Sequence, residues 1–140
     1  MSIVQTQTTS FKSQLYQAVH DLTTDQLYVA LYTGFANLNA DTTIYSTTNE
    51  VATSSSYTAG GQLLTGVTIN TSGYTAYVNF NNVTWTGTAI TARCALIYNH
   101  SKGDKSIAVI DFGSDKVQTN FTITMPANTS TSALIRSSNI

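Results

Sequence analysis

From Leu27 onward, apolar residues fall at every second position or in short unbroken runs, and turn-forming residues interrupt them every few positions. This pattern confines most of the chain to strands joined by turns and excludes a βαβ alternation. Leu27, Val29 and Leu31 interleave with Tyr28, Ala30 and Tyr32. Both sets are apolar, which predicts a strand covered on both faces. Residues 62–71 and 74–85 read as a hairpin turned at Thr71-Ser72-Gly73, with a bulge at Asn81-Asn82 before Val83 and Trp85. A second hairpin joins residues 90–99 to 106–112 through Ser101-Lys102-Gly103-Asp104, and its apolar runs suit central buried strands. Another turn is expected at Gly113-Ser114-Asp115-Lys116. Beyond it Val117, Thr119, Phe121, Ile123 and Met125 alternate with polar residues, giving one buried and one wet face. Pro126 ends that strand, and Ala133-Leu134-Ile135 makes a last short one.

Only one segment has helical spacing. Phe11, Leu15, Ala18, Val19 and Leu22 follow Ser10, a good N-cap, and predict a helix over 11–22. Before it lies a polar arm, residues 1–10. Residues 34–61 are irregular and polar, and a loop of that length in a compact domain usually makes an interface or carries function. The expected architecture is mainly β: a single β-sandwich or jelly-roll-like domain over residues 11–140, with one N-terminal helix.

Composition narrows the function. Only 9% of the residues are charged, against about 25% in ordinary soluble domains, while Thr alone occurs 25 times. A surface of hydroxyls and amides can be dried against a neighbour without burying many ions. Six basic residues scattered along the chain build no phosphate-tracking stripe, so no nucleic-acid partner is expected. No run reaches the ~18 apolar residues of a membrane span, and the first residues lack the basic and apolar regions of a secretion signal. Cys94 has no second cysteine to pair with, in keeping with synthesis in a reducing cytoplasm. A net charge of −1 gives little self-repulsion and favours association.

Catalytic constellations are not found. His20 and His100 lack partners at ligand spacing and read as an exposed helix-end and an exposed turn residue. Cys94 lies in a core-strand run and reads as a small buried hydrophobe. Asp111-Phe112-Gly113 spells the kinase metal-binding tripeptide without the other kinase motifs, and reads as a strand end. Asp111 and Asp115 flank one turn, short of the six or more oxygens that calcium takes. No enzyme activity, metal or cofactor is expected. Among the aromatics, Tyr32, Tyr98 and Trp85 sit in strand runs and are expected in the core. Tyr45 and Tyr57 lie in the polar loop, where they read as interface anchors or, as the alternative, a platform for stacking sugars.

Several stretches resemble small virion proteins of tailed bacteriophages. They are Leu31-Tyr32-Thr33, Asn37-Leu38-Asn39-Ala40-Asp41-Thr42-Thr43, Tyr57-Thr58-Ala59-Gly60-Gly61, Leu64-Thr65-Gly66-Val67, residues 92–99 and residues 108–116. The resemblance runs from about Phe11 to Arg136 and carries over no catalytic residue. It implies a β-rich component of the virion, made in the host bacterium: a capsid cement or decoration protein, or a neck or tail part. As a cement protein, the chain is expected to bind the major capsid protein or other virion proteins as a homo-oligomer, with a trimer favoured. The arm 1–10 and the loop 34–61 would then cross subunit seams, with Ile3, Val4, Leu38, Ile44, Tyr45 and Tyr57 as contacts. The alternative is a neck, tail or head-fibre adhesin that binds a receptor or glycan.

Overall fold

A computed structural model describes residues 2–138; Met1 of the arm and Asn139 and Ile140 of the domain lie outside the described residues. The molecule is mainly β and β-sandwich-like, with one helix, as the spacing predicts. One layer is a five-stranded antiparallel sheet in the order β1 (Thr6–Gln7), β8 (Lys105–Gln118), β7 (Ile90–Asn99), β2 (Leu27–Tyr32) and β3 (Gln62–Leu63). The opposing layer contains two small sheets. One runs β10 (Ile135–Ser137), β5 (Thr75–Asn79), β4 (Thr68–Ser72), and the other pairs β6 (Val83–Trp85) with β9 (Phe121–Ile123).

The large sheet is buried on both faces, which explains its unbroken apolar runs. On one face Leu27, Val29, Leu31, Ala95, Ile97 and Ile107 pack with Val78, Trp85, Phe121 and Ile135 of the small sheets and with Phe11 of the helix α1 (Thr9–Tyr16). On the other, Ala30, Tyr32, Cys94, Leu96, Tyr98 and Val109 form a second core, closed by Ala36, Leu38 and Tyr45 of the long loop and by Ile3. The first part of loop 34–61 is thus the lid of the sheet's second face, while its Val51 and Tyr57 join the core on the first.

Four expectations are corrected. First, α1 ends six residues before the predicted boundary and is capped by Thr8, whose side chain accepts from Phe11 N. It stops because Ala18 adopts a left-handed φ of 59°, with Ala18 N donating to Leu15 O and Val19 N to Gln14 O. This is the bond pair of a Schellman cap, with alanine where glycine is usual. Second, Gly113-Ser114-Asp115 is no chain reversal. β8 runs straight through it, and residues 112–115 bulge opposite Arg93 while pairing resumes at Ala92–Lys116. The reversal comes at Asn120, with φ 50°, so Val117 is exposed while Phe121, Ile123 and Met125 keep the predicted inward alternation. Third, Asn81-Asn82 marks the place where the chain leaves one small sheet for the other. Fourth, the arm is not free. Ile3 bridges to Leu38, Thr6 and Gln7 pair with Val109 and Ala108, and Thr8 N donates to Ile107 O. Unpaired backbone groups along the edge of β8 supply the partners for this segment.

Candidate interaction surface

Glu50, the chain's single glutamate, organises the lid. Tyr45 Oη donates to Glu50 Oε1 at 2.6 Å, and Tyr57 Oη and Gly60 N donate to Oε2 at 2.5 and 2.8 Å. Tyr57 Oη also accepts from Leu31 N at 3.0 Å, and Tyr98 Oη donates to Gly60 O at 2.6 Å. Burial, with donation to the carboxylate, pushes the Tyr57 and Tyr45 phenols upward, so both keep their protons and remain donors. Tyr45 stacks on Tyr98 with ring centroids 4.5 Å apart. Gly61 completes the latch. Its φ is 81°, and a Cβ there would stand 1.8 Å from Val29 O, so only glycine lets the loop return against β2.

This arrangement decides the fate of the six predicted contacts. Tyr57 is 1% exposed and Leu38 7%, so both are core residues, and the expectation that they face a partner is corrected. Tyr57 is reached by packing from β2, which its polar neighbours in sequence do not reveal. Ile3 is half-buried against Leu38, and Tyr45 is held between Tyr98 and Glu50. Val4 and Ile44 remain on the surface, 48% and 54% exposed. Arm and loop therefore hold one another rather than projecting outward.

The polar groups singled out in the sequence have structural partners. His20, expected to be exposed, is buried: Nε2 lies 2.8 Å from Gln14 Oε1 and Nδ1 2.9 Å from Asn99 Nδ2. Asn99 Nδ2 also donates to Asp25, which accepts from Lys102 Nζ. These donors outweigh the upward push of burial and hold the Asp25 carboxyl at about 2. Burial holds the His20 imidazole below its usual value. Two donors, Asn99 and the proton on Nε2, fix the neutral tautomer. His100 is exposed and sits 2.8 Å from Asp104. Cys94 is fully buried, which pushes its thiol up to about 12, the reverse of what a nucleophile needs. Asp111 accepts from Arg93 Nε at 3.2 Å. Among the described residues no three His, Cys, Asp or Glu converge on a metal position, and no helix is long and apolar enough to cross a membrane.

What distinguishes the surface is where charge is missing. Residues 51–92 and 117–135 contain no Asp, Glu, Lys, Arg or His. These segments supply β3, β4, β5, β6 and β9. On the strands of the small sheets Arg136 is therefore the single ionic residue; the other charges lie on the large sheet and its turns, in loop 34–61, and on α1 and the segment after it, where Lys12 and Asp21 border the small sheets. The uncharged layer presents Ile69, 50% exposed, and Tyr74, 87% exposed at the tip of the β4–β5 hairpin. Between this hairpin and α1 lies a mainly apolar groove of about 460 Å³, lined by Leu15, Leu22, Ile69, Val78 and Ile135, with His20 and Asp21 at the α1 side. At the far end of the large sheet Phe35, 73% exposed, borders a cleft with Arg93 and Asp115. Neither Phe35 nor Ile69 stood out in the sequence: Ile69 continues the apolar positions of a predicted strand, which are expected to face the core, and Phe35 is one aromatic between Gly34 and Ala36.

No protein-family model, no curated protein and no solved structure matches this chain.

Proposed function

We propose that this chain is a structural protein of a tailed-phage particle, a capsid cement protein that binds the major capsid protein and stabilises the shell. The observation that carries the reading is the uncharged layer. A face of Thr, Ser, Asn, Tyr and Ile can be dehydrated against another protein without stripping water from ions. The double core and the latched lid support it, since a rigid domain loses little conformational entropy on docking. With the arm and lid folded inward, Val4 and Ile44 are the members of the predicted contact set left to meet a capsid subunit.

The test is addition of purified protein to particles that lack it. Cement predicts saturable binding to heads, in numbers comparable to the major capsid protein, and a higher temperature of shell rupture. Particles that neither bind it nor change stability refute the reading. A second reading, a neck, tail or head-fibre adhesin for a receptor or glycan, is favoured by Phe35 beside Arg93 and Asp115, an aromatic face flanked by hydrogen-bonding groups. It predicts a low copy number per virion and loss of host attachment in Phe35→Ala.

A further inference from the structure

We propose that β4 is a self-pairing edge, and that two copies of this chain join their β4 strands antiparallel across a two-fold axis passing through Asn70. The inference is independent of the virion reading and rests on the state of the sheet edges. Edge strands expose backbone donors and acceptors that template further pairing, and proteins usually blunt them by shortness, charge, proline or bulges. β1 and β3 have two residues each. β10 has three, includes Arg136, and has its Arg136 carbonyl taken by Gln7 Nε2 at 2.8 Å. β6 and β9 have three residues each. By contrast β4, Thr-Ile-Asn-Thr-Ser, is five residues long, regularly paired to β5 on one side, and exposed at four of its five positions. It carries no charge, no proline and no bulge.

The register follows from the hairpin. Ser72 and Thr75 flank a two-residue turn, Gly73-Tyr74, in which Gly73 has φ 58°. The residues flanking such a turn exchange both hydrogen bonds, and the pattern alternates along the ladder. Thr68, Asn70 and Ser72 therefore turn their amides and carbonyls toward β5. Ile69 and Thr71 turn theirs to the open edge. In a two-fold pairing, Ile69 of each copy exchanges bonds with Thr71 of the other, giving four backbone hydrogen bonds, and Asn70 meets its own copy on the axis.

An isologous contact sets the axial residue against itself, so a charge there would repel. Asn70 is neutral and lies in a segment without ions. The pairing also sets the other copy's Thr71 beside the half-exposed Ile69, at the border of the apolar groove between the hairpin and α1. This joins the two grooves into one floor and adds apolar contact to the backbone bonds. A second copy is favoured over a foreign strand because one five-residue segment supplies both halves of a matched register.

The test uses the full chain. Wild-type protein is expected to sediment as a dimer. Asn70→Cys is expected to oxidise to a disulfide-linked dimer, since residues facing each other on the axis are within disulfide reach. Thr68→Cys is expected not to, because its two copies stand four residues apart along the strands, about 14 Å, which is out of reach. The native Cys94 is fully buried and does not interfere. Asn70→Asp sets two carboxylates together on the axis and should weaken dimerisation at least about tenfold, with the thermal midpoint of the dissociated monomer unchanged. A wild-type monomer at the highest soluble concentration, a trimeric mass, or equal cross-linking through residues 68 and 70 would each overturn the proposal.

Discussion

Replacing Glu50 by alanine and by glutamine should give two different proteins. Alanine removes the acceptor for Tyr45 Oη, Tyr57 Oη and Gly60 N together. Tyr57 is 1% exposed, so its hydroxyl cannot turn to water, and Gly60 N is left facing the vacated space. An unpaired buried donor costs about 1–3 kcal/mol, and bonds to an ionised acceptor sit at the upper end. Two stranded donors and a weakened third bond, less what relaxation and admitted water recover, sum to about 3–5 kcal/mol. Glutamine keeps the shape. Its carbonyl can take the place of Oε2 and accept from Tyr57 and Gly60, while its amide donates to Tyr45 Oη, because a phenol oxygen also accepts. Only charge assistance is lost, about 1–2 kcal/mol. With an unfolding entropy of about 2.1 cal/mol/K per residue, each kcal/mol is worth roughly 3 °C in this 140-residue chain. Calorimetry should therefore show midpoints about 10–15 °C lower for Glu50→Ala and about 3–6 °C lower for Glu50→Gln. Limited proteolysis of the alanine variant should cut first within residues 34–61. If alanine costs less than about 3 °C, or if the two variants melt together, the carboxylate is not what fastens the lid.

Three other perturbations probe separate parts of the fold. Ala18→Gly relieves the left-handed strain of an L-residue at the helix cap and should stabilise by up to about 1 kcal/mol in denaturant titration. The His20 imidazole is held below its ordinary 6.5, so the unfolded chain binds more protons than the folded one once pH falls through 6.5. Stability should accordingly drop on acidification from that point, by at most about 1.4 kcal/mol per pH unit, and His20→Gln should abolish the slope above the carboxylate range. Cys94 should resist iodoacetamide in the native protein at pH 8 and react fully in denaturant, because it is buried and its thiol is raised to about 12.

The large sheet was legible because its strands are apolar on both faces and need no long-range information to be recognised. Leu27, Leu96 and Ile107 declare their burial locally. The β4–β5 hairpin and the inward set Phe121, Ile123 and Met125 were legible from alternation. What failed depended on partners distant in sequence. Tyr57 sits among serines and threonines, and only the proximity of Leu31 and Glu50 makes it core. Its one local clue was Glu50 itself: a solitary carboxylate in a loop of hydroxyls needs donors, and tyrosines stand five residues before it and seven after. Leu38 and Ile3 looked like free contacts because each is apolar in a polar stretch, yet they satisfy one another. The helix end was missed because Ala18 stands where a glycine would have announced it. Gly113 misled in the opposite sense, since glycine serves bulges as well as turns.

The separation of ions from one layer of the sandwich has a practical corollary. Dissolved salt weakens contacts by shielding charges from one another, and across that layer there is next to nothing to shield. A joint made there keeps its strength from dilute buffer to brine, and sulfate tightens rather than loosens it. What senses the ionic medium is the large sheet, and the rim of the small sheets where Lys12, Asp21 and Arg136 stand.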